Sequence, residues 1–276
     1  MRSTEASPPT TRTVTSADGT TIAYRRTGHG PALVVVPGNN RMAHNYDRLA
    51  AELADAHTVC IIERRGRGGS GPQGAAYGLD REIDDLLAVA RAEDARLVFG
   101  HSYGGLVALS SALARHPFDR LAVYEPAISL NGSFDLSFRE EFRRLLARGK
   151  HVRALALFFH RTRLIPLPRT PYAVCWALSW LMAGHPSEVR DLMPTTAPEL
   201  DVVAGADSDG SRYASVSAET LLIGGTRAPA YLTGVLDPLA RIVPDARHVT
   251  LDGADHNAPD ESAPARVAGA LRAFLA

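Results

Sequence analysis

The sequence is poor in cysteine and has neither an excess of charge nor a long apolar run. Its two cysteines, Cys60 and Cys175, lie in apolar segments where a buried thiol behaves as a small hydrophobic side chain, so no disulfide framework is implied. Lysine and arginine number 30, as do aspartate and glutamate, so the formal net charge is zero. Without an excess positive field, neither nucleic acid nor an anionic membrane surface is an expected partner.

No segment is apolar over the length that a membrane span needs, and the first ten residues lack the apolar core of a signal peptide. We therefore expect a cytoplasmic protein whose partner is a small-molecule substrate. The 276 residues are 45% hydrophobic and 22% charged, which is typical of a globular protein. A chain of this length suits one α/β core with an insertion.

Short apolar segments alternate with helical patterns through the first half of the chain. Residues 32–36, 59–62 and 97–99 are uniformly apolar, and such strands are typical of a parallel sheet covered on both faces. Helical patterns separate them at residues 44–54 and 80–92. This order predicts a doubly wound α/β fold. Before it, β-branched runs around an Asp-Gly pair predict a hairpin.

The next clear strand after residues 121–124 begins only at Thr220, and the chain between them is mostly helical in pattern. We therefore predict a flexible leader at residues 1–12, a core at residues 13–128 and 219–276, and a helical cap at residues 129–218. The cap contains both tryptophans, Trp176 and Trp180. Aromatic residues at helical spacing usually serve packing, but they are also candidates for substrate binding.

A nucleophile motif follows the apolar segment 97–99. Residues 100–104 read Gly-His-Ser-Tyr-Gly, and an apolar helical pattern comes directly after them. A strand followed by G-x-S-x-G and a helix is the context of a nucleophile elbow, which exposes a serine on a tight turn. The pattern makes Ser102 the candidate nucleophile and places His101 beside the site as a candidate substrate contact.

These motifs resemble the α/β-hydrolase superfamily from about residue 14 to the C terminus, outside the cap. The resemblance implies an α/β-hydrolase fold, a serine hydrolase and no cofactor or metal. It also implies that the general base follows the last strand, where His256 lies, and that backbone amides form an oxyanion hole. Those amides would belong to Asn39 and Tyr103, although the family's usual His-Gly turn reads Pro-Gly here. The neighbouring Asn40 is a candidate substrate contact.

The acid is the uncertain member of the predicted Ser-acid-His set. The family's usual carboxylate follows the strand at residues 220–223, but no carboxylate occurs there. Some haloalkane dehalogenases carry it after the preceding strand, which here ends at Glu125. Glu125 is therefore the predicted acid, with Asp237 and Asp255 as alternatives. The family also has an arginine-glycine loop, matched by residues 63–71, for which a structural role is expected.

The predicted chemistry is hydrolysis of an ester, thioester, lactone or similar acyl bond in a small, hydrophobic molecule. Two other functions stay open at this point. One is a cofactor-free lyase, carbon-carbon hydrolase or cyclase that uses the same residues. The other is a non-catalytic binding protein, which the missing acid favours and the intact elbow disfavours. The sequence does not indicate the oligomeric state.

Overall fold

The computed structural model describes residues 9–113, 118–165 and 170–276. Its strands are β1 Thr10–Thr15, β2 Thr21–Gly28, β3 Ala32–Val36, β4 Thr58–Ile62, β5 Leu97–His101, β6 Arg120–Tyr124, β7 Glu219–Gly225 and β8 Ala246–Leu251. They form one sheet in the order β1-β2-β4-β3-β5-β6-β7-β8. The pairs β1–β2 and β2–β4 are antiparallel and the others are parallel. The predicted hairpin and mostly parallel sheet are confirmed.

The helices are α1 Asp47–Leu53, α2 Leu79–Ala92, α3 Tyr103–Ser111, α4 Arg139–Ala147, α5 His151–Thr162, α6 Tyr172–Ala183, α7 Glu188–Gly205, α8 Ala230–Thr233, α9 Leu236–Ile242 and α10 Pro264–Leu275. The predicted end of α3 near residues 116–117 and most of the predicted leader lie outside the described residues. In the described ranges no helix combines the length and apolarity required to cross a bilayer.

Both faces of the sheet are covered, which explains why its central strands lack polar alternation. In β3, Val34 and Val36 belong to the hydrophobic core that includes α2 and α3, whereas Leu33 and Val35 belong to the core that includes α1 and α10. Successive side chains of a strand point to opposite faces, so two cores require apolar residues at every position. The carboxyl ends of these parallel strands carry the candidate site.

Four helices, α4 to α7, lie between β6 and β7 and are called the insertion helices below. The two ends of this segment meet, because Leu130 and Ser208 form a parallel bridge and the Asn131 amide donates to the Ser208 carbonyl at 2.9 Å. Closing the ends on each other lets the helices be inserted without disturbing the pairing of β6 with β7. The division into core and cap stays a prediction.

Candidate active site

Ser102 lies at the sharp turn between β5 and α3. Its backbone has φ 55° and ψ −118°, a conformation that residues with a Cβ atom rarely adopt. The Ser102 amide donates to the Tyr124 carbonyl at 2.9 Å, and the Ser102 carbonyl accepts the Ala127 amide at 2.8 Å. The ends of two neighbouring strands therefore hold the strained turn in place.

The glycines of the motif are needed because backbone segments approach each other closely. A Cβ atom on Gly100 would lie 2.4 Å from the Gly104 carbonyl oxygen. One on Gly104 would lie 2.0 Å from the Val36 carbonyl oxygen, on the strand next to β5. Neither contact is sterically possible, so both positions require glycine for α3 to start directly after Ser102.

Glu125 and His256 meet in the interior. The Glu125 side chain is fully buried, and its Oε2 lies 2.7 Å from His256 Nδ1. Its other oxygen, Oε1, accepts the Gly225 amide at 2.8 Å. Because a carboxylate only accepts hydrogen bonds, His256 Nδ1 carries a proton and Nε2 is left as the acceptor. The structure thus brings together the two residues that the sequence pairs as acid and base.

At the end of β7, just before the segment where the family usually has its acid, Gly225 has no room for a side chain. A Cβ atom on Gly225 would lie 2.2 Å from the Ala254 carbonyl oxygen. The alternative acids are occupied elsewhere. Asp237 pairs with His248 at 2.6 Å, and the Asp255 carboxylate accepts from the Asn257 amide and the Ser262 hydroxyl. Of the three candidate acids, Glu125 is the one whose carboxylate accepts a hydrogen bond from His256.

His101 is buried and links three parts of the site. Its Nε2 lies 2.8 Å from the His256 carbonyl oxygen, which only accepts, so Nε2 carries a proton. Nδ1 then accepts from the Tyr46 hydroxyl at 2.6 Å, and that hydroxyl oxygen accepts the Gly38 amide at 3.0 Å. Burial and the neighbouring His256 lower the pKa of His101 well below its usual value, in agreement with a neutral ring.

The loop after β3 is held by two buried arginines of the predicted arginine-glycine loop. Arg64 and Arg67 both donate to the Gly38 carbonyl, at 3.1 and 3.0 Å. Tyr103 is the first residue of α3, where an amide has no partner within the helix. Among the described residues, neither the Asn39 amide nor the Tyr103 amide has a hydrogen-bond acceptor. The structural role expected for the arginine loop is to support the segment that carries Asn39.

Glu199, a residue that the sequence reasoning missed, connects α7 to this loop. It is fully buried, and its carboxylate accepts from Arg64 Nη2 at 2.6 Å and from Arg67. It also accepts from Asn39 Nδ2 at 2.5 Å, while the Thr196 hydroxyl donates to Asn39 Oδ1. The signal in the sequence was a single carboxylate among the core-facing positions of α7, which are otherwise apolar or threonine, and a buried carboxylate requires a buried cation.

The buried positive charges of Arg64 and Arg67 are stabilised by the Glu199 carboxylate. Burial opposes the charge of Arg64, yet Glu199 and Glu82 raise its pKa well above the usual value. For Arg67, burial and the nearby Arg64 lower the pKa. Two guanidinium groups thus share two buried carboxylates, and the loss of one carboxylate would leave an uncompensated charge in the interior.

Replacing Glu199 by glutamine should lower both stability and turnover. Removal of one partner from a buried ion pair costs about 3–5 kcal/mol, and for a chain of this size each kcal/mol lowers the melting midpoint by about 2–4 °C. Turnover should fall because Asn39 loses one of its anchors. Thermal unfolding and ester kinetics measure the two effects.

The control for this variant is Asp201→Asn, because Asp201 lies two residues further along α7. Asp201 pairs with Arg139 at 3.4 Å and also with Arg143, and all three side chains are partly exposed. Loss of such a pair costs less than about 1 kcal/mol. Equal melting midpoints for the two variants would contradict the role assigned to Glu199.

A cavity of about 290 Å³ opens above these groups and is bordered by Ser102, His256, Asn39 and Tyr103. Asn40 and His101, the other candidate substrate contacts, also line it. Within the described residues the Asn40 side-chain oxygen has no hydrogen-bond partner. The apolar wall comes mostly from the insertion helices and includes Phe134, Phe142, Leu155, Phe158, Phe159 and Met182. Small-molecule sites are usually lined in this way, by apolar side chains with a few polar groups at one end of the cavity.

The structure does not bring the two tryptophans to this cavity. Trp176 and Trp180 lie on the outer side of α6, with exposed fractions of 45% and 60%. The residues of α6 that border the cavity are Leu178 and Met182. The placement predicted for the tryptophans is therefore wrong, because the aromatic spacing coincided with the solvent side of the helix rather than its inner side.

A model of the alpha/beta hydrolase family matches residues 33–270. The chain therefore belongs to this family. The fold and the superfamily predicted from the sequence are confirmed.

The chain is also similar to particular members of the family, which differ in the reactions that their names give. N-formylmaleamate deformylase of Pseudomonas putida is 34% identical over 120 residues, 41% of this chain and 44% of the relative. The chain spans less than half the length of the curated relatives it matches. The structure of an alpha/beta hydrolase from Sphaerobacter thermophilus is 32% identical and superposes with a TM-score of 0.82. The match covers 96% of this chain and 100% of the Sphaerobacter chain. Esterase RhEst1 from Rhodococcus shares the fold at 22% identity and a TM-score of 0.73. That match covers 96% of this chain and 98% of the esterase chain.

Proposed function

We propose that the protein is a serine hydrolase that cleaves an ester, thioester, lactone or similar acyl bond of a small hydrophobic molecule in the cytoplasm. The observation that carries the proposal is the buried hydrogen bond of 2.7 Å between His256 and Glu125. It leaves Nε2 of the imidazole free to accept a proton beside the cavity that Ser102 also borders. The strained backbone of Ser102 is typical of a nucleophile held out on a turn.

In the proposed reaction, Ser102 Oγ attacks the acyl carbon while His256 Nε2 takes the hydroxyl proton. The amides of Asn39 and Tyr103 donate to the oxygen that becomes negative. As the intermediate collapses, the leaving group takes the proton from His256 and an acyl-enzyme remains on Ser102. Water then attacks, with His256 as the base again, and releases the acid. Glu125 stabilises the imidazolium in both halves of the reaction.

The substrate class follows from the cavity. Its wall is apolar and aromatic apart from the groups around Ser102, and a volume of about 290 Å³ suits a small molecule. Since one relative is named as a deformylase, an N-formyl amide belongs in the substrate panel beside the esters.

The test is to treat the native protein with a fluorophosphonate and to follow p-nitrophenyl esters of increasing acyl length. We expect hydrolysis, one adduct by intact mass, and the adduct on the peptide that contains Ser102. A protein that neither turns over esters nor forms an adduct would contradict the proposal. Cleavage of a carbon-carbon bond in the absence of any ester hydrolysis would favour the alternative chemistry of the same site.

A further inference from the structure

Helix α6 exposes an apolar face. Its sequence, from Tyr172 to Ala183, contains no charged residue. It packs inward through three buried positions spaced four residues apart: Cys175, Ser179 and Ala183. On its outer side lie all the large apolar side chains that are most exposed in the described chain: Tyr172, Val174, Trp176, Trp180 and Leu181. A contiguous apolar face of this kind at a surface usually marks an interaction site.

The zero net charge of the protein conceals a strong separation of charge. From Phe142 to Ser187 the sequence contains eight lysines and arginines but no aspartate or glutamate. The rest of the chain therefore has 22 basic residues against 30 acidic ones. The positive stretch covers the end of α4 and all of α5 and α6. The exposed apolar face thus belongs to the segment with the largest excess of basic residues, of which Arg143 and Arg161 pair with carboxylates outside the segment.

Cationic side chains reach the apolar face directly. A hollow of about 330 Å³ beside Trp176 is lined by Lys150, His151, Arg153 and Arg190. In the described part of the chain, no carboxylate forms an ion pair with Lys150, Arg153 or Arg190, and none lines the hollow. An anionic group of a partner could therefore approach these cations while apolar groups of the same partner cover the tryptophans.

We propose that the outer face of α6 and the adjoining cations dock on an anionic phospholipid surface. Tryptophan and tyrosine side chains favour the boundary between headgroups and acyl chains, and lysine and arginine side chains are attracted to anionic headgroups. The net charge of zero argued against such a partner, but the distribution of the charged residues along the chain argues for it. The docking does not depend on the chemistry at Ser102.

The two other possible occupants fit less well. A second copy of the chain would bring two cationic surfaces together, which is electrostatically unfavourable. A nucleic acid duplex would satisfy the cations but offers its phosphates, rather than an apolar surface, to the tryptophans. Leu178 and Met182, on the inner side of the same helix, border the catalytic cavity, so a docked bilayer would lie one helix away from the substrate.

Intrinsic fluorescence tests the docking directly, because Trp176 and Trp180 are the only two tryptophans of the protein. The full chain is titrated with vesicles of phosphatidylcholine alone and of phosphatidylcholine with phosphatidylglycerol, and cosedimentation is measured in parallel. We expect a blue shift and cosedimentation with the anionic vesicles, both reversed by high salt. No response to anionic vesicles, or an equal response to neutral ones, would overturn the proposal.

Three double variants separate the contributions. Lys150→Gln with Arg153→Gln should weaken binding to anionic vesicles roughly tenfold or more. Trp180→Ser with Leu181→Ser should also weaken it, with Trp176 as the remaining fluorophore. Arg91→Gln with Arg241→Gln, exposed on α2 and near the end of α9, is the control and should bind normally.

Two results would assign the face to another partner and overturn the proposal. The first is a native dimer in sedimentation velocity that the Trp180→Ser, Leu181→Ser variant converts to a monomer. The second is binding to duplex DNA that exceeds binding to anionic vesicles. Binding to the vesicles that fails in the lysine-arginine variant and persists in the control would support it.

Discussion

Replacing Ser102 by alanine is expected to abolish both ester hydrolysis and fluorophosphonate labelling. Removal of the nucleophile from such a triad lowers kcat on the order of 10⁶-fold, because the remaining groups can polarise the substrate but cannot form the acyl-enzyme. Alanine keeps a Cβ atom at a backbone φ of 55°, so the strain of the turn is unchanged. The melting midpoint should therefore stay close to that of the native protein.

The matched control is Ser110→Ala, a buried serine on α3. This variant should hydrolyse esters and accept the label like the native protein. If Ser102→Ala still formed the adduct, the nucleophile would have to be another residue, and the assignment of the elbow would be wrong.

Glu125→Gln is expected to lower kcat by about 10⁴-fold, the loss that follows when the imidazole of a triad takes the wrong tautomer. Both oxygens of Glu125 accept hydrogen bonds, one from His256 and one from the Gly225 amide. Glutamine offers only one acceptor, so its NH₂ group must face a donor unless the imidazole moves its proton to Nε2. In that tautomer His256 cannot take the proton of Ser102.

The control for Glu125→Gln is Asp237→Asn. Asp237 is also paired with a histidine, His248, at 2.6 Å, but its side chain is exposed on α9. Its replacement should leave ester turnover unchanged. Comparable losses in the two variants, or turnover near the native level in Glu125→Gln, would remove Glu125 from the mechanism. The pH dependence of kcat/KM in the two variants provides a second readout.

Local patterns were sufficient to predict the fold and the candidate nucleophile. The apolar strands follow from burial on both faces, as β3 shows by contributing alternate residues to the two cores. The elbow is equally local, because Gly100, Ser102 and Gly104 meet their steric requirements within one turn and its adjoining strand. For these features the interactions that determine the structure lie close together in the chain or repeat with a fixed period.

The acid and the supporting carboxylate involve residues far apart in the chain. Glu125 was predicted by resemblance, yet its partner His256 is 131 residues away in the chain. Glu199 was missed because its link to Arg64 spans 135 residues and begins on an inserted helix. Neither pairing has a periodic signature in the sequence.

By itself, the sequence determined the α/β sheet and predicted the elbow at Ser102, because short-range sterics and periodic burial encode these features. Only the tertiary structure decided that Glu199 supports the loop of Asn39, and that Trp176 and Trp180 face outward beside a cationic hollow. Periodicity reports that a helix has an apolar side. Which neighbour covers that side is decided by packing between distant segments, and for α6 the described chain covers only one of its two apolar sides.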